Sequence, residues 1–198
     1  MELSEIRDSL LSILHVETVD AIPDAMLQEV MRQDNRLFHD VKEILPNLSH
    51  DWLRGIYQYY LADRDEKKQD FTPASLAVLM ARLAGDFDTI VDLCAGSGAL
   101  TIAAWSIDPK RKFECFEIDE RVIPFLLVNL AIRNMNATVH HADVLREIEF
   151  STYSVVAGEK FSRIEVLTHG NEGVRQQSAV QSGMGKATNG KQCSLLSL

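Results

Sequence analysis

Along the first 70 residues, apolar positions recur at helical spacing. Over 23–45, Met26, Val30, Leu37, Val41, Ile44 and Leu45 follow this spacing, Pro23 opens the run and Pro46 stops it, so the pattern predicts one helix. A second helix is predicted from Ser49 onward, with Trp52, Ile56 and Tyr60 on one face. Tyr57, Tyr59 and Tyr60 cluster within it, and helix packing accounts for them more simply than a platform for stacked bases. The charged run "DRDEKKQD" (63–70) reads as a solvated linker.

After residue 70 the pattern alternates between helix and strand. "FTPASLAVLMARLAG" (71–85) is predicted helical, with Thr72 as N-cap, Pro73 as first helical residue, Leu76, Leu79, Met80 and Leu83 as buried stripe, and Gly85 as stop. "DTIVDLC" is then a short buried strand, "AGSG" a turn and "ALTIAAWSI" a helix. "KFECFEI" is a second strand, "ERVIPFLLVNLAIRNM" a second helix with Asp119 as expected cap, and "ATVHHADVL" a third strand with its exit loop. Strict alternation implies right-handed crossovers, hence an α/β fold built on a doubly wound parallel sheet. Ligands of such sheets bind beyond the carboxyl ends of the strands. "STYSVVA" and "FSRIEVL" are predicted to form a hairpin turning through Gly158, Glu159 and Lys160. The organisation expected is a small helical region over 1–70, an α/β unit over 71–167, and an irregular or disordered tail over 168–198, where Gly, Ser, Gln, Asn and Thr dominate.

Composition narrows the class. With 46% hydrophobic and 25% charged residues the chain reads as a soluble globular protein. No apolar run approaches the ~20 residues of a membrane span and "MELSEIRDSL" lacks the marks of a signal peptide, so a cytoplasmic protein without membrane partners is expected. Cys94, Cys115 and Cys193 are few, odd in number and not spaced as metal pairs, which argues against a disulfide framework. The net charge is −9, and the acidic excess is concentrated early: residues 1–70 hold 15 acids against 8 bases. Such a surface has no footprint for gripping nucleic-acid phosphates, so another chain or segment must supply the grip if DNA is the substrate.

The candidate chemistry falls on one rim of the expected sheet. Asp92, Gly96 and Gly98 lie at the end of the first strand, Glu117 at the end of the second, and Asp143 just after the third. The glycines let the backbone turn sharply and approach a ligand without a Cβ in the way. Glu117 follows Gly96 by 21 residues, a spacing that suits a carboxylate accepting hydrogen bonds from both hydroxyls of a ribose. Asp143 is then placed to accept from the exocyclic amine of an adenine on the same ligand. A dinucleotide fingerprint would put a third glycine where Thr101 stands, and Asp92 is badly placed beside a pyrophosphate. An acid there suits a positively charged cofactor, which it would meet directly or through water. S-adenosylmethionine fits best, and a nicotinamide dinucleotide or a purely structural glycine turn are the alternatives. Cys94 has no base nearby to activate it as a nucleophile, and as a small residue in the loop it is expected to be buried. His140 and His141 are adjacent and would face opposite sides of a strand, one exposed and one packed, so they do not chelate one metal together. No metal site is expected.

Taken in order, "FTP", "DLCAGSGAL", "FECFEID" and "HHADVL" resemble the cofactor half of the adenine-specific N6 DNA methyltransferases. The closest likeness in style is to the modification subunit of type I restriction-modification systems. The resemblance covers roughly residues 71–146, and the helical N-terminus is similar to the helical domain preceding the catalytic one in that family. It implies a Rossmann-like class I methyltransferase sheet, S-adenosylmethionine as cofactor and DNA as substrate. By resemblance, Phe71, Thr72 and Pro73 contribute to the methionine end of the cofactor site. Asp92, Gly96 and Gly98 form its floor, Glu117 holds the ribose, Ile118 packs on the adenine and Asp143 reads its amino group. Phe71–Pro73 also make a sufficient helix start, and Ile118 a sufficient core residue, without any ligand.

The same family aims its methyl group with an Asn, Asp or Ser followed by two prolines and an aromatic. That motif accepts from the target amine and stacks on a base flipped out of the duplex. The prolines here are Pro23, Pro46, Pro73, Pro109 and Pro124, none paired, so no catalytic residue is assigned. The fold is therefore expected to be incomplete: a cofactor half, inactive alone. Completion by a partner subunit that also supplies the DNA grip is one alternative, and a small-molecule methyltransferase or noncatalytic binding module is another. An unpaired sheet edge would favour a homodimer.

Overall fold

The computed structural model describes residues 2–62, 72–169 and 194–196. Four helices come first: α1 (Leu3–Leu14), α2 (Ile22–Met31), α3 (Arg36–Ile44) and the short α4 (Leu53–Ile56), which runs on into a π-helical turn over Tyr57–Leu61. Helix α5 (Ala74–Leu83) then leads to β1 (Thr89–Asp92), α6 (Ala99–Ile107), β2 (Lys112–Glu117), α7 (Ile123–Ile132) and β3 (Asn136–Asp143). Strands β1, β2 and β3 are parallel neighbours, with Asp92 beside Cys115 and Glu117 beside His141, which is the Rossmann-like α/β arrangement that the alternation predicts.

Helix α7 explains how the two halves of the chain combine. All ten of its residues are buried, so it has no polar face to offer water. One side packs on β3, and the other meets α2, α3 and α4. A single buried apolar cluster accordingly runs from Ile6 and Leu10 through Phe125 and Leu126 to Val139. Among the described residues no helix is long and apolar enough to cross a membrane.

The predicted hairpin is present as β4 (Ile148–Val156) and β5 (Arg163–His169), antiparallel to each other and added to the free side of β3. Its turn is pinned to the end of α7: Asn134 donates to and accepts from the backbone of Gly158, at 3.0 and 2.8 Å. Within the segment read as an irregular tail, Thr168 and His169 belong to β5, and Ser194–Leu196 form β6, parallel to β1. The sheet order is β5-β4-β3-β2-β1-β6, so the sheet is mixed, with a parallel centre. The linker 63–70, Phe71, Cys193 and residues 170–193 lie outside the described residues.

Several local expectations are corrected. The single helix over 23–45 is two, because Gln33 takes a left-handed φ of 57° and the Asp34 carboxylate accepts from the Arg36 amide at 3.1 Å, starting a new helix. Apolar period alone cannot see this break, since both pieces bury their stripes in the same core. The next helix begins at Leu53 and not at Ser49, and just ahead of it Asp51 Oδ1 accepts from the Arg54 amide at 2.9 Å. The π-helical turn adds a residue to the repeat, so Leu53, Ile56, Tyr57 and Leu61 are buried while Trp52 and Tyr60 are only half-buried. Tyr57 packs as expected, but Tyr59 is 73% exposed. In α5 the cap is Pro73, which makes it no part of the first turn, and no side chain of Thr72 caps the helix. Its buried side is Ala77 and Ala81, because close packing against α6 requires small residues, whereas Leu79 and Leu83 are exposed. Asp119 accepts from the Arg121 amide at 3.2 Å, but α7 itself starts later, after Val122.

Candidate functional site

Strand β1 delivers Asp92 to the carboxyl end of the sheet, and the chain turns at once through Cys94–Gly98 into α6. Gly96 and Gly98 both have left-handed backbones, with φ of 54° and 102°. At Gly98 space matters as well as φ: a Cβ would stand 3.0 Å from Cδ1 of Leu126 on α7. The loop is stitched to the end of β2. The Ala95 amide donates to the Phe116 carbonyl at 2.9 Å, and the Gly96 amide to Glu117 Oε2 at 2.8 Å. Glu117 Oε1 accepts from the amides of Ile118 and Asp119 at 2.9 and 2.8 Å. Burial pushes the Glu117 carboxyl above the usual carboxylate range, and these three amides pull it back toward ionisation.

Asp92 is 1% exposed. Its carboxylate faces inward, accepting from Thr101 Oγ1 at 2.9 Å and from the Cys94 amide at 3.4 Å. Burial pushes it up to about 6, against the pull of the Thr101 hydroxyl. The Thr101 position, where a dinucleotide loop carries glycine, thus has its own use: its hydroxyl satisfies Asp92. Asp143 is buried at the end of β3, just after a bulge between His141 and Ala142. Its Oδ1 accepts from the amides of Leu145 and Arg146 at 3.1 and 3.0 Å, while among the described residues Oδ2 meets only the exposed Arg146 guanidinium, at 3.6 Å. Ile118 is 57% exposed beside Glu117, so it is not a core residue. The rim therefore carries three carboxylates on adjacent strand ends, with the uncovered apolar side chains of Ile118 and Leu145 next to them.

Thr72 and Pro73 sit at the head of α5, and the Thr72 carbonyl accepts from the Arg54 guanidinium. Cys94 is exposed, not buried as a small loop residue was expected to be, and partial desolvation by the surrounding loop, with the charges of Glu117 and Asp92, pushes its thiol pKa up, toward the protonated form. His140 stacks on Phe116 at 4.4 Å between Glu114 and Glu149, while His141 meets the Ile118 carbonyl at 3.2 Å and the Phe150 ring at 4.7 Å. They do diverge, but both are half-buried, because β4 covers part of each. Among the described residues no group of His, Cys, Asp and Glu is arranged to hold a metal ion.

Sequence reasoning missed the polar network beneath the loop. Asp51, 4% exposed, accepts from Ser97 Oγ at 2.6 Å and from Asn129 Nδ2 at 2.8 Å, and Asn129 also donates to the Ser97 carbonyl at 2.8 Å. Arg133 completes it, donating to Asn129 and to the carbonyls of Leu48 and His50. Nothing in spacing links positions this far apart. The only signal was the placement of Asn129 and Arg133, a polar pair at i and i+4 in an otherwise apolar helix.

No curated protein and no solved structure matches the chain. Residues 68–158, which contain the glycine loop and all three rim carboxylates, match the family model of the methyltransferase small domain.

Proposed function

We propose that this chain is the S-adenosylmethionine-binding part of a methyltransferase whose target is the N6 amine of adenine in DNA. The observation that carries the cofactor is the Glu117 carboxylate, held at the strand ends by the Gly96, Ile118 and Asp119 amides beside the uncovered Ile118. Proteins matching the methyltransferase small domain generally use the same cofactor. The donor set suits it: acids for a ribose diol, an adenine amine and a cationic end, and an apolar side chain for a flat ring. A carboxylate has about four acceptor directions and Glu117 has spent three, so taking both ribose hydroxyls requires one amide to let go. Oε2 carries the Gly96 amide alone and has a direction to spare, so the amide given up is one of the two on Oε1, and that of Ile118 is the natural choice. Asp143 Oδ2 is the acceptor left for an adenine amine, and Asp92 acts from beneath the loop as a negative charge, not as a direct contact.

When bound, the cofactor supplies an electrophilic methyl group on a sulfonium. The residues described here hold and orient it. None of them is arranged as the Asn/Asp/Ser-Pro-Pro-aromatic string that accepts from the target amine, and DNA grip and target-base pocket are assigned to a partner subunit. The adenine target rests on the four ordered motifs in 71–146. The net charge of −9 favours a second reading, a small-molecule methyltransferase, which needs no phosphate grip. Transfer of labelled methyl from S-adenosylmethionine separates the two. The chain alone is expected to leave adenine-containing DNA at background. Methylation of a small amine or hydroxyl acceptor by the chain alone would favour the second reading, and robust DNA methylation by it would refute the assignment of the target site to a partner.

A further inference from the structure

We infer that the segment Asp51–Tyr57 is a positioning element of the cofactor site, an inference that rests on the reading just given. Asp51 lies two residues ahead of α4, Arg54 lies within it and Tyr57 opens its π-helical turn. Each reaches a different loop of the site. Asp51 accepts from the hydroxyl of Ser97, the residue between the two loop glycines. Arg54 donates to the Thr72 carbonyl at the head of α5. The Tyr57 hydroxyl donates to Asp119 Oδ2 at 2.5 Å, and the Asp119 amide is itself one of the three that hold Glu117.

The first and last of these contacts are buried, with Asp51 at 4%, Tyr57 at 1%, Ser97 at 1% and Asp119 at 6% exposure, and the Arg54 contact is half-buried. Taking a carboxylate and its partners out of water is costly, and apolar side chains would fill the same space at no such cost. What hydrogen bonds add over apolar packing is direction. Asp51 and Asn129 together hold both the side chain and the carbonyl of Ser97, so the peptide planes on either side of it are set from beneath. The Gly96 amide therefore points at Glu117 because the loop is gripped one residue later. The helical N-terminal region is thereby part of the cofactor site, although it contributes no residue to the rim.

The test uses the full chain, S-adenosylmethionine as probe, and the variants S97A, Y57F, D51A and D51N. Calorimetry gives affinity, and hydrogen exchange of the Gly96 and Gly98 amides reports loop order without any ligand. Asp51→Ala and Ser97→Ala are expected to weaken affinity about tenfold and to speed exchange at Gly96. Their double variant is expected to be no worse than either alone, and Asp51→Asn, which keeps a side-chain oxygen, to recover most of the loss. Tyr57→Phe is expected to raise exchange at Ile118 and Asp119. A purely structural role would lower the melting temperature while leaving affinity and loop exchange unchanged well below the transition, and that result overturns the inference. If Asp51→Ala fails to fold, Ser97→Ala and Tyr57→Phe, which each remove a single hydroxyl, decide. If the wild type binds no cofactor, the functional reading fails and loop exchange alone decides this one.

Discussion

At the scale of single residues, the buried Asp92 makes the sharpest pH prediction. Its folded pKa of about 6 lies above the roughly 3.9 of an unfolded aspartate. A carboxyl with a raised folded value contributes stability fully below about pH 4 and loses it as pH rises through about 6. Asp92→Asn, which keeps an acceptor for the Thr101 hydroxyl, is therefore expected to gain on the wild type over that window, by up to about 3 kcal/mol above pH 7. Urea unfolding at pH 4 and pH 8 checks it: equal differences at both pH values would contradict it. Binding of a cationic ligand is expected to strengthen over the same window, as Asp92 acquires its charge. Gly98→Ala is expected to cost about 1–3 kcal/mol, since alanine resists a φ of 102° and its Cβ would press on Leu126. A melting temperature equal to that of the wild type would count against it. Gly98, Glu117 and Asp143 were legible because each follows directly from strand, turn and spacing. Asp51 was not, because only the folded chain brings it to Ser97.

At the scale of elements, α7 carries the argument. Its apolar run predicts a helix, but not that the helix is buried on both sides, which is why the N-terminal helices and the sheet share one core. Its Arg133 is pulled down to about 10 by burial and holds the carbonyls of Leu48 and His50. Arg133→Met leaves these carbonyls unpartnered and Asp51 without a nearby cation, at an expected cost of about 3–5 kcal/mol in unfolding free energy. A loss below about 1 kcal/mol would mean that water replaces the guanidinium. The elements that sequence pattern misread share a cause. In α5 the stripe of larger apolar residues suggested the buried face, but close approach to α6 selects the alanine face instead. In α4 a π-helical turn shifts the repeat, which no fixed period can follow.

At the scale of the molecule, the arrangement is a rim of carboxylates at three adjacent strand ends, supported from below by the N-terminal helices. The order of elements from α5 to β3 was readable because helix and strand periods alternate cleanly there. The pairing of Ser194–Leu196 with β1 was not, because a three-residue strand inside a polar segment carries no period. A net charge of −9 offers DNA phosphates little attraction, so adding the isolated protein to labelled DNA is expected to give no binding at physiological salt. The central claim is that this rim holds S-adenosylmethionine through Glu117. Titration calorimetry with S-adenosylmethionine tests it most directly: the account predicts binding by the wild type that falls at least tenfold in a folded Glu117→Ala variant. A folded wild type that binds none, or a variant that binds equally well, would contradict it.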